Sequence, residues 1–156
     1  MLEYQLEAQR SALAALLDDL TEPEARARLV PSLTTPLGLL SHVTFVEQVW
    51  FHHRVAGLSR AEVGIPETVD ESFAVIADDT VTRTRQRYLD ACSRSRQIAA
   101  AHNLDEAFDW RGTPVTLRFI HVHMLTELAR HAGQGDILIE QLRARRHVQE
   151  TDTLNR

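Results

Sequence analysis

Hydrophobic residues recur at helical spacing through four long stretches of the chain. In the first stretch, polar residues face a stripe made of Leu2, Leu6, Leu13, Leu16 and Leu20. This spacing predicts an amphipathic helix, and Pro23 marks its end. The letters TEPE at residues 21–24 have the form of a capping box, which predicts a short helical turn directly afterwards.

A second helix is predicted from Pro36 to the region of Gly57. Thr35 is suited to the N-cap, Pro36 to the first helical position, and Gly57 to the C-terminal stop. The predicted inner stripe contains one histidine among apolar residues: Leu39, His42, Val43, Val46, Val49 and Trp50.

A third helix is predicted from a capping box at Thr68 and Glu71 to about His102. Its expected core positions are Phe73, Ile76, Tyr88, Ala91 and Ile98. The following stretch, NLDEAFDWRGTPV at 103–115, is expected to be a loop because Gly112 and Pro114 interrupt it.

The fourth helix is predicted from about Thr116 to about Arg145, with a tail that frays from about Val148. One stripe of this helix reads Leu117, Ile120, Met124, Glu127, His131, Gln134, Leu138 and Gln141. Four amphipathic helices without a strand pattern predict an all-α fold, a four-helix bundle formed by one domain over residues 1–156.

Composition narrows the classes of function. The net charge is −5 and no basic patch dominates, so nucleic-acid binding is not expected. Cys92 is the one cysteine, which excludes a disulfide framework and a cysteine-based zinc site. No apolar run has membrane-spanning length, and the start MLEYQLEAQR lacks the pattern of a leader, so no membrane partner and a cytoplasmic location are expected.

Polar residues occupy the inner stripes of two predicted helices. Glu127 and His131 lie one helical turn apart on the fourth helix, so both side chains can reach one point in front of it. His42 of the second helix can supply a third group to that point. A buried carboxylate is costly unless it is paired or binds a metal, and two imidazoles with one carboxylate are a ligand set of catalytic zinc and of non-heme iron.

Other interpretations of these residues stay open. Glu127 and His131 can form a simple helical pair, His42 can be a hydrogen-bonded core histidine, and all three can form a network without metal. His123 lies one turn before Glu127, and we favour a place in the cavity wall or behind a ligand, because the spacing i, i+4, i+8 drifts by about 80° around a helix. Arg118 and Arg130 are candidates for binding an anionic substrate.

Two motifs resemble a known family. The stretches TPLGLLSHVTFVEQVWF, residues 35–51, and TLRFIHVHMLTELARHAGQGDIL, residues 116–138, are similar to the DinB superfamily of four-helix metalloproteins, in particular its mycothiol-dependent, maleylpyruvate isomerase-like branch. The resemblance implies a divalent metal bound by His42, Glu127 and His131, with zinc as the first choice and nickel or iron as alternatives. A glutamate at the position of Glu127 is found in the mycothiol-dependent branch, whereas many superfamily members have histidine there.

The resemblance also implies a thiol S-transferase. Characterised members of the superfamily include transferases that use a low-molecular-weight thiol, mycothiol or bacillithiol. A thiol that coordinates the metal loses its proton and becomes the nucleophile. The Lys-free, Arg-rich composition suits a high-GC actinobacterial origin and hence mycothiol. The expected partners are the thiol, an electrophilic small molecule and a second subunit in a homodimer.

One activity of a relative is not expected here, and one alternative to a transferase remains. Isomerase activity is not expected, because the isomerase carries an additional C-terminal domain and this sequence ends at Arg156. The alternative to a transferase is a non-enzymatic, stress-type protein that binds a divalent metal.

Overall fold

The computed structural model describes the backbone of residues 1–154 and the side chains of residues 1–148. Four long helices make up most of it: α1 (Leu2–Ala15), α3 (Pro36–Glu47), α5 (Val81–Ala100) and α6 (Leu117–Leu154). Helix α6 packs on α1 and on α3, and α3 also packs on α5. The predicted all-α bundle is confirmed. The tail that is predicted to fray from about Val148 lies largely outside the described side chains and stays a prediction.

Two helix starts that the capping residues predict, at Thr21 and at Thr35, are confirmed. A short helix, α2 (Glu22–Ala25), begins with a capping box formed by Thr21 and Glu24. The Oγ1 atom of Thr35 accepts the Gly38 amide at 2.9 Å at the start of α3. These two caps bind amide groups that the first helical turn leaves without partners.

The predicted second helix changes its winding half-way. After α3, residues Gln48–Val55 form a π-helical segment, in which the Ala56 amide donates to the carbonyl of Phe51 at 2.9 Å. The wider turn disturbs the predicted stripe, so Val49 lies half-buried while Phe51 and His52 are buried. The chain leaves this segment at Gly57, whose φ of 72° is readily available to glycine.

The predicted third helix begins later than expected. Thr68 and Glu71 do form reciprocal capping bonds, but they support only a 3₁₀ turn at Asp70–Phe73. Helix α5 starts at Val81 with Thr80 as its N-cap. The expected core residue Ile76 is therefore 61% exposed.

A tertiary contact explains the delay. The Arg26 guanidinium donates to the carbonyls of Ile76, Ala77 and Asp79. In a helix these carbonyls would accept hydrogen bonds from backbone amides of the next turn. The capping motif in the sequence does not reveal that a distant arginine binds them instead. Before α5, a short helix, α4 (Arg60–Val63), and the 3₁₀ turn cover one side of α3 and the π-helical segment.

The stretch predicted to be a loop contains a β-hairpin. Strand β1 (Ala107–Trp110) pairs antiparallel with β2 (Thr113–Thr116). Arg111 and Gly112 both have positive φ values, 54° and 81°, which is the backbone of the two-residue turn that matches the twist of a hairpin. The expectation of a loop was wrong because Arg-Gly is a weaker turn signal than Asn-Gly and Pro114 argues against a strand.

The core lies where the four long helices meet. Its fully buried side chains include Leu6, Leu13, Leu39, Tyr88, Ile120, Met124 and Leu128. The leucine stripe of α1 and the apolar positions of α6 supply much of this core, as their spacing predicts. None of the described helices is long and apolar enough to cross a membrane.

Candidate functional site

The three candidate metal ligands come together between α3 and α6. The Nε2 atoms of His42 and His131 lie 3.1 Å apart, and the Nε2 atom of His131 lies 3.6 Å from Oε2 of Glu127. Both histidine side chains are buried and Glu127 is half-buried. The contacts run from His42 through His131 to Glu127, so residues 89 apart in sequence share one site.

Oxygen acceptors fix the tautomers of both imidazoles. The Ser72 hydroxyl donates to the Val69 carbonyl, so its oxygen is left to accept from the Nδ1–H of His42, at 2.7 Å. The Nδ1–H of His131 donates in the same way to Oε1 of Gln134, at 2.8 Å. In the neutral rings both Nε2 atoms therefore carry lone pairs, and these lone pairs face each other.

Two such lone pairs at this separation repel each other unless a hydrogen atom or a metal ion lies between them. Burial, followed by the charge of His131, lowers the pKa of His42 to about 4, so His42 is neutral at pH 7. The ring of Phe73 stacks on the His42 ring with centroids 4.1 Å apart and fixes its orientation. A metal ion bound by both Nε2 atoms would satisfy them, and so would a hydrogen on one of the two rings in its other tautomer.

The donor set is chemically suited to a metal ion. Two nitrogens that bind one zinc ion at about 2.0–2.1 Å with tetrahedral angles lie about 3.3–3.4 Å apart, close to the 3.1 Å between the two Nε2 atoms. Hydrogen bonds from the outer ring nitrogens of His42 and His131 to oxygen acceptors are also the usual support of metal-binding histidines. Among the described residues, however, no group of three or more His, Cys, Asp or Glu is already arranged to hold a metal.

The two arginines that were candidates for substrate binding have acidic partners. Nη1 of Arg130 lies 3.3 Å from Oε1 of Glu127, so the Arg130 guanidinium contacts one of the candidate ligands. Arg118 pairs with Asp105 at 2.9 Å. Nine residues of helix separate Arg118 from Glu127, which is about 13 Å along the axis. A substrate role for either arginine stays a prediction.

The third candidate for substrate binding, His123, belongs to a group of rings beside Glu127. We call Trp50, Trp110, Phe119 and His123 the aromatic cluster. The centroid of His123 is 4.3 Å from that of Trp50, and Trp110 lies 5.6 Å from Trp50 and 5.8 Å from Phe119. Burial lowers the pKa of His123, and the charge of Glu127 opposes this shift. His123 lies one helical turn before Glu127 on α6, so the cluster adjoins the candidate ligands.

The sequence predicted the three candidate ligands but missed the residues that support them. Gln134 was assigned to the inner stripe of α6, and its place one turn after His131 is a signal that could have identified it. Ser72 and Phe73 reach His42 only through the 3₁₀ turn, which local sequence does not predict. Trp110 reaches the cluster through the hairpin, which the sequence analysis also missed.

The remaining buried histidines have backbone partners. His121 Nδ1 contacts the Leu117 carbonyl at 2.9 Å, and His52 Nε2 contacts the Ala91 carbonyl at 3.2 Å. Neither residue belongs to the candidate ligand set, and each ring has a backbone carbonyl as its partner.

A comparison with known families identifies the family of this chain. The profile of the mycothiol-S-transferase family matches residues 1–144. The chain belongs to the mycothiol-S-transferase family. Membership supports a transferase enzyme that works with mycothiol, and it agrees with the resemblance to the mycothiol-associated DinB branch. A search among curated proteins found no match.

Proposed function

We propose that this transferase is metal-dependent and that His42, Glu127 and His131 hold one divalent ion, zinc in the first instance. The observation that carries the proposal is the pair of facing Nε2 lone pairs 3.1 Å apart, with both outer nitrogens bound to oxygen acceptors. Three protein ligands leave a coordination position open, as catalytic zinc sites require. The carboxylate of Glu127 offsets part of the positive charge.

The proposed reaction transfers mycothiol to an electrophilic carbon. The bound ion would supply positive charge that lowers the pKa of the thiol, and the thiolate is the reactive nucleophile. The chain's own residues orient the site: Ser72 and Gln134 hold the two rings, and Phe73 covers one face of His42. The sulfur forms a new C–S bond, the leaving group departs with the electrons of the broken bond, and the thiol proton passes to solvent.

Metal content tests the ligand set directly. We expect about one zinc ion per chain in protein purified without chelator, and almost none in His42→Ala and Glu127→Ala. A matched control is His102→Ala, because His102 pairs with Glu106 away from the site. If wild type takes up no zinc, nickel or iron(II) when soaked, the facing imidazoles share a proton and the metal proposal is wrong.

Turnover tests the reaction separately. Zinc-loaded wild type should form the mycothiol conjugate of monobromobimane faster than the uncatalysed rate, and the metal-free protein should not. Tight metal binding without conjugation of any of several electrophiles would favour the non-enzymatic alternative. Conjugation at the same rate by metal-free protein would contradict metal dependence.

A homodimer and a cytoplasmic location remain part of this proposal. The homodimer rests on the resemblance to the DinB superfamily and not on a contact within the chain, whereas the cytoplasmic location rests on the sequence pattern alone. Light scattering of the zinc-loaded protein checks the first, since a dimer has twice the chain mass of 17.7 kDa.

A further inference from the structure

The aromatic cluster is an unusual concentration of rings for this chain. Only nine residues in the sequence are Phe, Trp or Tyr, five, two and two respectively, and both tryptophans lie in the cluster. They come from different elements: Trp50 from the π-helical segment, Trp110 from β1 and Phe119 from α6. Two distant parts of the chain, the π-helical segment and the hairpin with the start of α6, thus converge beside the candidate metal ligands.

The cluster is open to solvent on one side. Phe119 is 40% exposed and its neighbour Val122 is 47% exposed, whereas Trp50 is buried. Trp110 and His123 are half-buried between them. The rings of Phe119 and His123 are nearly parallel, at 13°, with centroids 6.1 Å apart. The cluster therefore presents apolar ring surface to a small molecule that arrives from solvent.

The cluster is also within reach of the reaction. His123 and Glu127 are one helical turn apart, so their Cβ atoms are separated by about 5–6 Å. A planar ring packed against His123 and Trp110 would hold a carbon attached to that ring close to Glu127. The offset and edge contacts that aromatic rings prefer favour such a guest over an aliphatic one.

We infer that the aromatic cluster binds the electrophilic substrate and that this substrate carries a planar conjugated ring. This inference rests on the proposed function and names its substrate class. The sulfur of the thiol displaces the leaving group on the carbon next to the ring. With monobromobimane, the C–S bond forms as bromide leaves with the electrons of the C–Br bond.

Binding without turnover is the first test. Hydroxybimane, the unreactive alcohol of monobromobimane, is titrated into zinc-loaded protein while tryptophan fluorescence is followed. Because both tryptophans lie in the cluster, the emission should be quenched on binding. Trp110→Ala should weaken binding about tenfold, with Trp50 left as the reporter, and Trp110→Phe should bind within about threefold of wild type. Thermal melting shows whether each variant is folded.

Kinetics are the second test. The value of kcat/KM for monobromobimane, corrected for the uncatalysed rate, should fall about tenfold in Trp110→Ala. The value for iodoacetamide, a small aliphatic electrophile, and the KM for mycothiol should stay within about twofold. Tyr4→Ala is the control for loss of a ring elsewhere, because Tyr4 is 73% exposed on α1.

The outcomes separate this inference from the proposed function. Equal losses with both electrophiles would mean that the rings only anchor the hairpin. A rise in the KM for mycothiol alone would mean that they bind the thiol, and no quenching in wild type would mean that they bind neither. If wild type bound hydroxybimane but transferred mycothiol to neither electrophile, the proposed function would fail while the cluster remained a binding site for planar rings.

Discussion

His42 and His131 hold their Nε2 atoms 3.1 Å apart while each Nδ1–H donates to an oxygen of the protein. Their partners, Ser72 and Gln134, lie on opposite sides of the pair and come from the 3₁₀ turn and α6. The arrangement determines which nitrogen of each ring is free to bind. It leaves the Nε2 lone pair of each ring, together with the Glu127 carboxylate, available to one cation. In the proposed metal site, the affinity for the ion would therefore depend on residues that never contact it.

Removing these acceptors should weaken metal binding without removing a ligand. We expect Ser72→Ala and Gln134→Ala each to raise the dissociation constant for zinc about 10–100-fold, because the imidazoles lose the bonds that fix tautomer and orientation. Competition with a chromophoric chelator measures the effect. Gln141→Ala is a matched control, since Gln141 is exposed on the same helix. Equal affinities in all three variants would contradict a role for the acceptors.

The metal-free protein should lose stability on mild acidification. Burial, followed by the charge of His131, lowers the pKa of His42 to about 4. An unfolded histidine titrates near 6.5, so the unfolded state binds more protons between these values. Stability then falls as the pH is lowered from about 6.5 to about 4, by about 3 kcal/mol from this residue, and no further below that range.

Urea unfolding of chelator-treated protein at several pH values measures this effect. His42→Asn should unfold with a flatter pH dependence than wild type. Some slope will remain in the variant, because burial also lowers the pKa of His52 and of His123. Identical slopes in both proteins would show that His42 is not the group that resists protonation.

Two glycines of α6 should respond to alanine in opposite directions. A Cβ atom at Gly133 would meet no heavy atom within 4 Å, so Gly133→Ala should raise the free energy of unfolding by about 0.5–1 kcal/mol through helix propensity. A Cβ atom at Gly135 would lie 2.5 Å from Cδ1 of Leu16. Gly135→Ala should therefore destabilise the α1–α6 contact. The clash should cost about 1–3 kcal/mol, from which the gain in helix propensity is subtracted.

Chemical denaturation of the two variants checks the pair. The control is to make Gly135→Ala in a Leu16→Ala background, where the clash is absent. There, Gly135→Ala should lower the free energy of unfolding by less than it does in the wild-type background. A stabilised Gly135→Ala protein would mean that Leu16 moves aside without cost.

The parts of the molecule that the sequence predicted are those set by local rules. Thr35 and Pro36 define the start of α3, and the four-residue spacing of Glu127 and His131 places both on one face of α6. These rules need only neighbours in the chain. The three candidate ligands and the bundle could therefore be predicted together.

The parts that were missed depend on distant partners. Arg26 binds the carbonyls before α5 and delays that helix, and the hairpin that carries Trp110 lacks the usual turn residues. Ser72 reaches His42 because the 3₁₀ turn folds onto α3. No spacing rule connects residues 30 positions apart, so the supporting bonds of the site appear only in three dimensions.

A buried ion pair between α1 and α3 was also missed, and it should be costly to break. Arg10 Nε and Nη2 each donate to a different Glu47 oxygen at 2.7 Å, and Glu47 is fully buried. Glu47→Gln should lower the free energy of unfolding by about 3–5 kcal/mol, because the buried Arg10 charge then keeps only the carboxylate of Glu7, whose side chain is 40% exposed. The double variant Arg10→Met, Glu47→Leu should instead be close to neutral, since no charge remains to be buried. Urea denaturation distinguishes the two, and a double variant as unstable as Glu47→Gln would show that the core needs the polar pair for its packing.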